Sequence, residues 1–162
     1  MQPSLADRFA IAIECLCEHY DQSAREGELI GLGLMCGDAV DLFWPLLLSS
    51  SELPLDCHDD YRFNPVDWDN NEGFHCFDEL NKTLKCVCVP QDDPGFPGYV
   101  RSVFDSCIEA LSRLNLRTRY GEDLFTTMGG ADPTSLLEME ERRFVEETNT
   151  SKLVDMWLED FA

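Results

Sequence analysis

The stretch ELIGLGLMCGDAVDLFWPLLL, residues 28–48, decides the fold. Glu28 to Cys36 is a mostly apolar run of strand length, and Gly37-Asp38 after it is a two-residue turn of the kind that opens a hairpin. Ala39 to Leu48 then reads as the returning strand. Pro45 has no N–H to give to a ladder, which puts that end of the strand at an edge or a bulge. Gly31 and Gly33 alternate, so they share one face of the first strand and leave room there for a close approach, most often by a packed helix.

Helical patterns surround this hairpin. Upstream, Ser4 can cap a helix with Asp7 at its third position, and Leu5, Phe9, Ile13, Leu16 and Tyr20 recur every three or four residues, through about Gln22. Downstream, Phe74, Phe77, Leu80 and Leu84 keep helical spacing from near Gly73 to Lys85. Leu84 to Pro90 fits either a short strand or a helix end, and Gln91 to Gly98 is a loop by its turn residues. Val100, Val103, Phe104, Cys107, Ile108, Leu111 and Leu114 make the widest apolar stripe, that of a central packing helix. Asp123 to Met128 is a third strand, closed by Gly129-Gly130. Asp132-Pro133 starts a helix to about Glu147, with the acid as cap and Pro at the first turn, and Thr150 or Ser151 caps a last one with Leu153, Val154, Trp157, Leu158 and Phe161 facing inward. The order predicts one α+β domain over residues 1–162: a small antiparallel sheet of about three to four strands with helices packed on one face.

Composition narrows the function classes. Hydrophobic residues at 44%, ten of them Phe, supply the apolar surface that disordered chains lack. A net charge of −20 excludes a binder that works by neutralising nucleic-acid phosphates and disfavours an anionic membrane surface. The N-terminus has no basic flank before its apolar residues and no run reaches bilayer length, so a cytosolic location is expected. For the eight cysteines of such a chain the expectation is thiols, with Cys36, Cys86, Cys88 and Cys107 buried among apolar neighbours and no disulfide framework.

The charge is concentrated. From Glu52 to Glu79 nine carboxylates face one base, Arg62, so this stretch alone holds −8. Tyr61, Phe63, Trp68, Phe74 and Phe77 lie among them. Acids seek water and aromatics seek burial or a partner, so the stretch is either a packed corner or a docking surface. Tyr61 and Phe63 are expected beneath the turn at Pro65, and Trp68 either anchors its own loop or is an exposed hot spot.

Catalytic and metal signals are weaker. The carboxylates match no calcium-loop spacing and no two-metal signature. Cys57-His58 and His75-Cys76 offer zinc-type donors, but neighbours in sequence point apart on a regular strand or helix, and the usual two-to-four-residue gap is missing. Cys86-Val-Cys88 lacks the spacer of a redox pair. Gly31-Leu-Gly33 is no dinucleotide fingerprint, since the third glycine and the following helix are absent. No metal, no cofactor and no enzymatic activity are therefore expected.

Several pieces in order, the aromatic-proline pair Phe43-Trp44-Pro45, the segment YRFNPVDWD from Tyr61 to Asp69, FDELN from Phe77 to Asn81 and SVFDSCIEALSRLN from Ser102 to Asn115, resemble the bacterial domain-of-unknown-function family 4303. The likeness runs from about Glu28 to Phe161, and its most specific piece is Tyr-Arg-aromatic-x-Pro-x-x-Trp. It transfers no catalytic residue. It implies a small α+β protein of the size and acidity of immunity proteins that neutralise secreted toxins. The functional expectation is an immunity-type binding protein for a basic toxin domain, a nuclease or other nucleotide-targeting toxin, contacted through Asp56, Asp59, Asp60, Asp67, Trp68, Asp69 and Glu72. The alternatives are a metal-dependent or acid-base enzyme using the same carboxylates, and a structural or regulatory interaction module without a toxin.

Overall fold

The structure is a computed structural model that describes residues 2–55, 60–68 and 72–160, the side chain of Asp60 excepted. Its centre is the stretch at residues 28–48. β1, Leu29–Cys36, is buried at every position, and β2, Phe43–Ser49, pairs with it antiparallel from Leu29↔Ser49 to Cys36↔Phe43. The connection is longer than a two-residue turn. Val40 adopts φ 53°, donates its N–H to the Gly37 carbonyl at 2.9 Å and buries its side chain completely. The Tyr99 hydroxyl donates to the Val40 carbonyl at 2.7 Å, which fixes this left-handed residue from the opposite side.

β3, Phe125–Gly130, lies against the other side of β1, giving the order β2-β1-β3. Pro45 is therefore on an edge strand, as its missing N–H requires. β3 runs parallel to β1, from Gly31↔Phe125 to Cys36↔Gly130. The sheet is mixed, which corrects the all-antiparallel expectation. Its central strand is apolar at nearly every position instead of alternating, the pattern of a strand covered on both faces.

Both faces are indeed covered, a second departure from helices on one face. On one side Leu32 and Leu34 of β1 and Met128 of β3 meet Phe9, Ile13 and Leu16 of α1 (Leu5–Gln22), Leu80 and Leu84 of α3 (Asp78–Val87), and Val103, Phe104 and Cys107 of α4 (Phe96–Leu114). On the other, Ile30, Met35, Leu48 and Phe125 meet Phe63 of α2 (Asp60–Phe63), Trp68, and Leu153 and Trp157 of α7 (Ser151–Asp160). α5 (Leu116–Tyr120) leads from α4 towards β3. α6 (Ser135–Thr148) packs along β3, sending Leu137 and Phe144 to the first cluster and Val145 to the second.

Local chemistry explains the boundaries. Ser4 and Asp7 form a reciprocal capping box at the start of α1. α4 begins at Phe96, inside the stretch expected to be loop, because Pro97 is well suited to the first turn of a helix. α3 continues to Val87, which settles Leu84 to Pro90 as a helix end and leaves Cys86 and Cys88 exposed, contrary to their expected burial. α6 starts after Thr134, whose hydroxyl accepts from the Leu137 N–H at 3.4 Å, so the cap is Thr134 and not Asp132. Gly129 and Gly130 belong to β3 itself. Phe74 is 42% exposed and leaves the core stripe to Phe77, Leu80 and Leu84. Phe161 lies outside the described residues. Among those described, no helix is long and apolar enough to cross a membrane.

What approaches Gly31 and Gly33 is the indole of Trp68 together with Pro65, and not a packed helix. A methyl group on Gly31 would lie 2.6 Å from Trp68 Cη2 and 2.9 Å from Leu48 Cβ, and one on Gly33 3.1 Å from Pro65 Cβ. Gly31→Ala is expected to destabilise the chain by about 1–3 kcal/mol through overpacking. Urea unfolding should show this as a lower midpoint at unchanged slope. A midpoint equal to the parent's would mean that the ring does not sit on this glycine.

Candidate functional site

The acidic stretch divides into parts with different environments. Asp56, Asp59 and Asp69 lie outside the described residues, as do Cys57 and His58. Asp60 is the first residue of α2. Asp67 ends the 3-10 turn Pro65–Asp67, is exposed, and accepts a hydrogen bond from the Asn64 side-chain amide at 2.8 Å. Trp68 is only 3% exposed and its Nε1–H donates to the Tyr61 carbonyl at 2.9 Å. It is a loop anchor, which removes it from the expected contact surface. Phe63 is fully buried in edge-to-face contact with Phe125, ring centroids 4.9 Å apart, and Tyr61 is half-buried beside it.

Glu72, exposed at the other end of the stretch, belongs to a cluster that the sequence reading did not assemble. Gly73 turns the chain at φ 79°, and a methyl group there would fall 2.3 Å from Leu16 Cδ1, so a glycine is needed both for the dihedral and for the approach to α1. This turn lays the 3-10 helix Phe74–Phe77 across α1. Cys76 is disulfide-bonded to Cys15 of α1, with Cα atoms 5.6 Å apart across 61 residues of sequence. The bridge corrects the expectation of thiols alone.

Around the bridge stand two imidazoles and a carboxylate. His19 follows Cys15 by one helical turn, so both project from the same face of α1. Its ring meets that of His75 edge-on, centroids 5.5 Å apart. His75 Nε2 is 3.6 Å from Cys76 Sγ, so these sequence neighbours converge instead of pointing apart. Glu72 Oε2 lies 3.6 Å from His19 Nε2. The sulfurs of Cys15 and Cys76 and a ring nitrogen of His75 all lie within 4.8 Å of one another. Cys15 and Cys76 are half-buried and His75 is exposed, so solvent reaches the group. The Cys15-x-x-x-His19 spacing was the available signal for half of it.

No family model, curated protein or solved structure matches the chain. Among the described free cysteines, Cys17, Cys36 and Cys107 are held inside the fold, whereas Cys86 and Cys88 are exposed. Burial pushes the Cys17 thiol up to about 11 and the Cys36 thiol up to about 12, and raises that of Cys107 further, so none of the three is a thiolate near neutral pH. Glu141 packs against Gly129 and accepts from the Thr127 hydroxyl at 3.3 Å; burial raises its carboxyl to about 7, with Glu138 adding to the rise and the Thr127 bond opposing it. A cavity of about 150 Å³ between α4, α5, β3 and α6 is lined by Arg117, Thr126, Glu147 and Thr148, with the Thr126 hydroxyl given to Thr148. It is smaller than the roughly 300–1,000 Å³ typical of small-molecule sites.

Proposed function

We propose that the chain is a non-catalytic binding protein whose acidic surface docks a basic protein partner, in the manner of an immunity-type inhibitor of a nuclease or other nucleotide-targeting toxin domain. The observation that carries this reading is where the few bases go. Of twelve lysines and arginines, eight (Arg25, Lys82, Arg101, Arg113, Arg119, Arg142, Arg143 and Lys152) are in ion pairs within the chain. Arg62 and Arg117 donate to the backbone carbonyls of Asp123 and Leu124. Ten of the twelve bases are thus committed to the fold, and the formal surplus of twenty acids over bases leaves the chain strongly negative towards solvent or a cationic partner. A field of this sign raises the association rate of a basic domain by about 10- to 1,000-fold at low salt.

Charge supports a basic partner, and the toxin class adds the resemblance to that support. The test is capture of partners from the host lysate with the chain as bait, beside a variant carrying Asp56→Lys, Asp59→Lys, Asp67→Lys and Asp69→Lys. The expected result is a basic protein held by the parent and lost from the variant. Its association rate should fall at least about tenfold as ionic strength rises from about 0.01 M to about 0.15 M and the Debye length shortens from ~30 to ~8 Å. A partner held equally by both chains, with a rate indifferent to salt, would remove the acidic stretch from the interface.

A further inference from the structure

We propose that Cys15, His19, His75 and Cys76 form a zinc site when the two cysteines are thiols, with Glu72 as the carboxylate that orients His19. The donor set is Cys₂His₂, which suits a four-coordinate tetrahedral zinc ion. Its members come in two pairs on two rigid pieces. Cys15 and His19 share one face of α1 at a spacing of four, and His75 and Cys76 lie on the 3-10 turn held over α1 by Gly73. The three atoms within 4.8 Å of one another are close to a coordination sphere already, since zinc with ligands at about 2.0–2.3 Å has donor-to-donor edges of about 3.3–3.8 Å. The two sulfurs, bonded in the structure, would part to reach such an edge, while the His75 nitrogen would close by about 1 Å and His19, which lies outside this group of three, would swing in by side-chain rotation.

Glu72 is the independent indication. Histidines that bind zinc commonly give their second ring nitrogen to a carboxylate, which sets the tautomer and strengthens the ligand. Glu72 Oε2 faces His19 Nε2, leaving Nδ1 for the metal. Charge also favours the assignment: two thiolates neutralise the ion, and it sits beside the most acidic part of the chain. On binding, the Cys15 and Cys76 S–H protons pass to solvent and two S–Zn bonds form, with no change of oxidation state. The disulfide is the competing state of the same sulfurs, so metal and bridge exclude each other.

The experiment uses the full chain, reduced with a phosphine that is then removed, and loaded anaerobically with Co²⁺ as a spectroscopic stand-in and with Zn²⁺ against a chromophoric chelator. The expected result is one ion per chain, with thiolate-to-cobalt charge-transfer absorption and the intense visible bands of a tetrahedral ion. The unreduced chain should take up none at this site. Cys15→Ser and Cys76→Ser should abolish the charge-transfer band, and Cys86→Ser with Cys88→Ser, which alters the two exposed thiols among the described residues, should leave it intact. His19→Ala and the exposed, fold-neutral His75→Ala should each weaken Zn²⁺ by at least about tenfold, and Glu72→Gln by about 10- to 100-fold. Failure of the reduced, folded chain to bind either ion would overturn the site, as would binding unchanged by Cys76→Ser or by His75→Ala.

Discussion

Trp68→Ala is expected to lower the unfolding free energy by about 3–5 kcal/mol, the range for removing a large buried aromatic side chain. Three features put it there. The side chain is 3% exposed, its ring lies against Gly31, and its Nε1–H is spent on the Tyr61 carbonyl. The space left would not be refilled easily, because the sheet beneath it presents two glycines with no side chains to swing in. Trp68→Phe should cost less, about 1–3 kcal/mol, since it keeps a ring but loses the hydrogen bond. In the Trp68→Ala background Gly31→Ala should lose most of its penalty, leaving the 2.9 Å approach to Leu48 as the residue. Denaturant unfolding of the four chains measures this. An effect of Trp68→Ala within about 0.5 kcal/mol, the usual size at exposed sites, would return Trp68 to the surface.

The coupling of Trp68 to Gly31 shows what the sequence can and cannot carry. Alternate glycines in a strand announce a close approach, and a tryptophan after a proline turn announces an anchor. Neither names the other across the intervening residues. Sheet order is limited in the same way. Pro45 assigns β2 to an edge from its chemistry alone, whereas the apolar run of β1 says that both faces are covered without saying that β3 pairs parallel. Helices are the most legible because capping and periodicity are local, as Ser4 with Asp7 and the stripe of α4 illustrate. Thr134 displaced Asp132 as a cap because both lie before the same apolar run, and only the backbone geometry separates them.

Side-chain placement in the candidate site follows the same division. That Glu72 and Asp67 are exposed is legible, because carboxylates are seldom taken out of water. The convergence of His75 and Cys76 is not, since the rule that neighbours point apart holds for regular strands and α-helices and these two lie on a 3-10 turn. Their meeting with Cys15 depends on one glycine dihedral at Gly73, a tertiary event invisible to any window of sequence. The exposure of Cys86 and Cys88 has a simpler cause: Cys86 stands on the side of α3 opposite Leu80 and Leu84, and Cys88 follows the last residue of the helix.

Glu141→Gln is expected to stabilise the chain by about 2–3 kcal/mol above neutral pH and to change little below about pH 4.5. Burial holds the Glu141 carboxyl at about 7, above its ordinary value of 4.5, so between these two values the folded chain keeps a proton that the unfolded chain has released. Stability therefore falls as pH rises through this window, and the loss is complete once pH exceeds the folded value. A shift of this size corresponds to about 3 kcal/mol, lowered somewhat because the residue is only partly shielded from water. Glutamine fills the same space beside Gly129 and Thr127 with no charge to desolvate. Asp7 and Glu79 are held below their usual range, chiefly by hydrogen bonds from Ser4 and Lys82, and work in the opposite sense, but they are common to both chains and cancel in the difference. Unfolding of parent and variant from about pH 4 to about pH 8 therefore isolates one carboxyl. The gap between them should open between about pH 4.5 and 7 and then stay constant, whereas a gap that does not vary with pH would mean that Glu141 is solvated and titrates alike in the folded and unfolded chains.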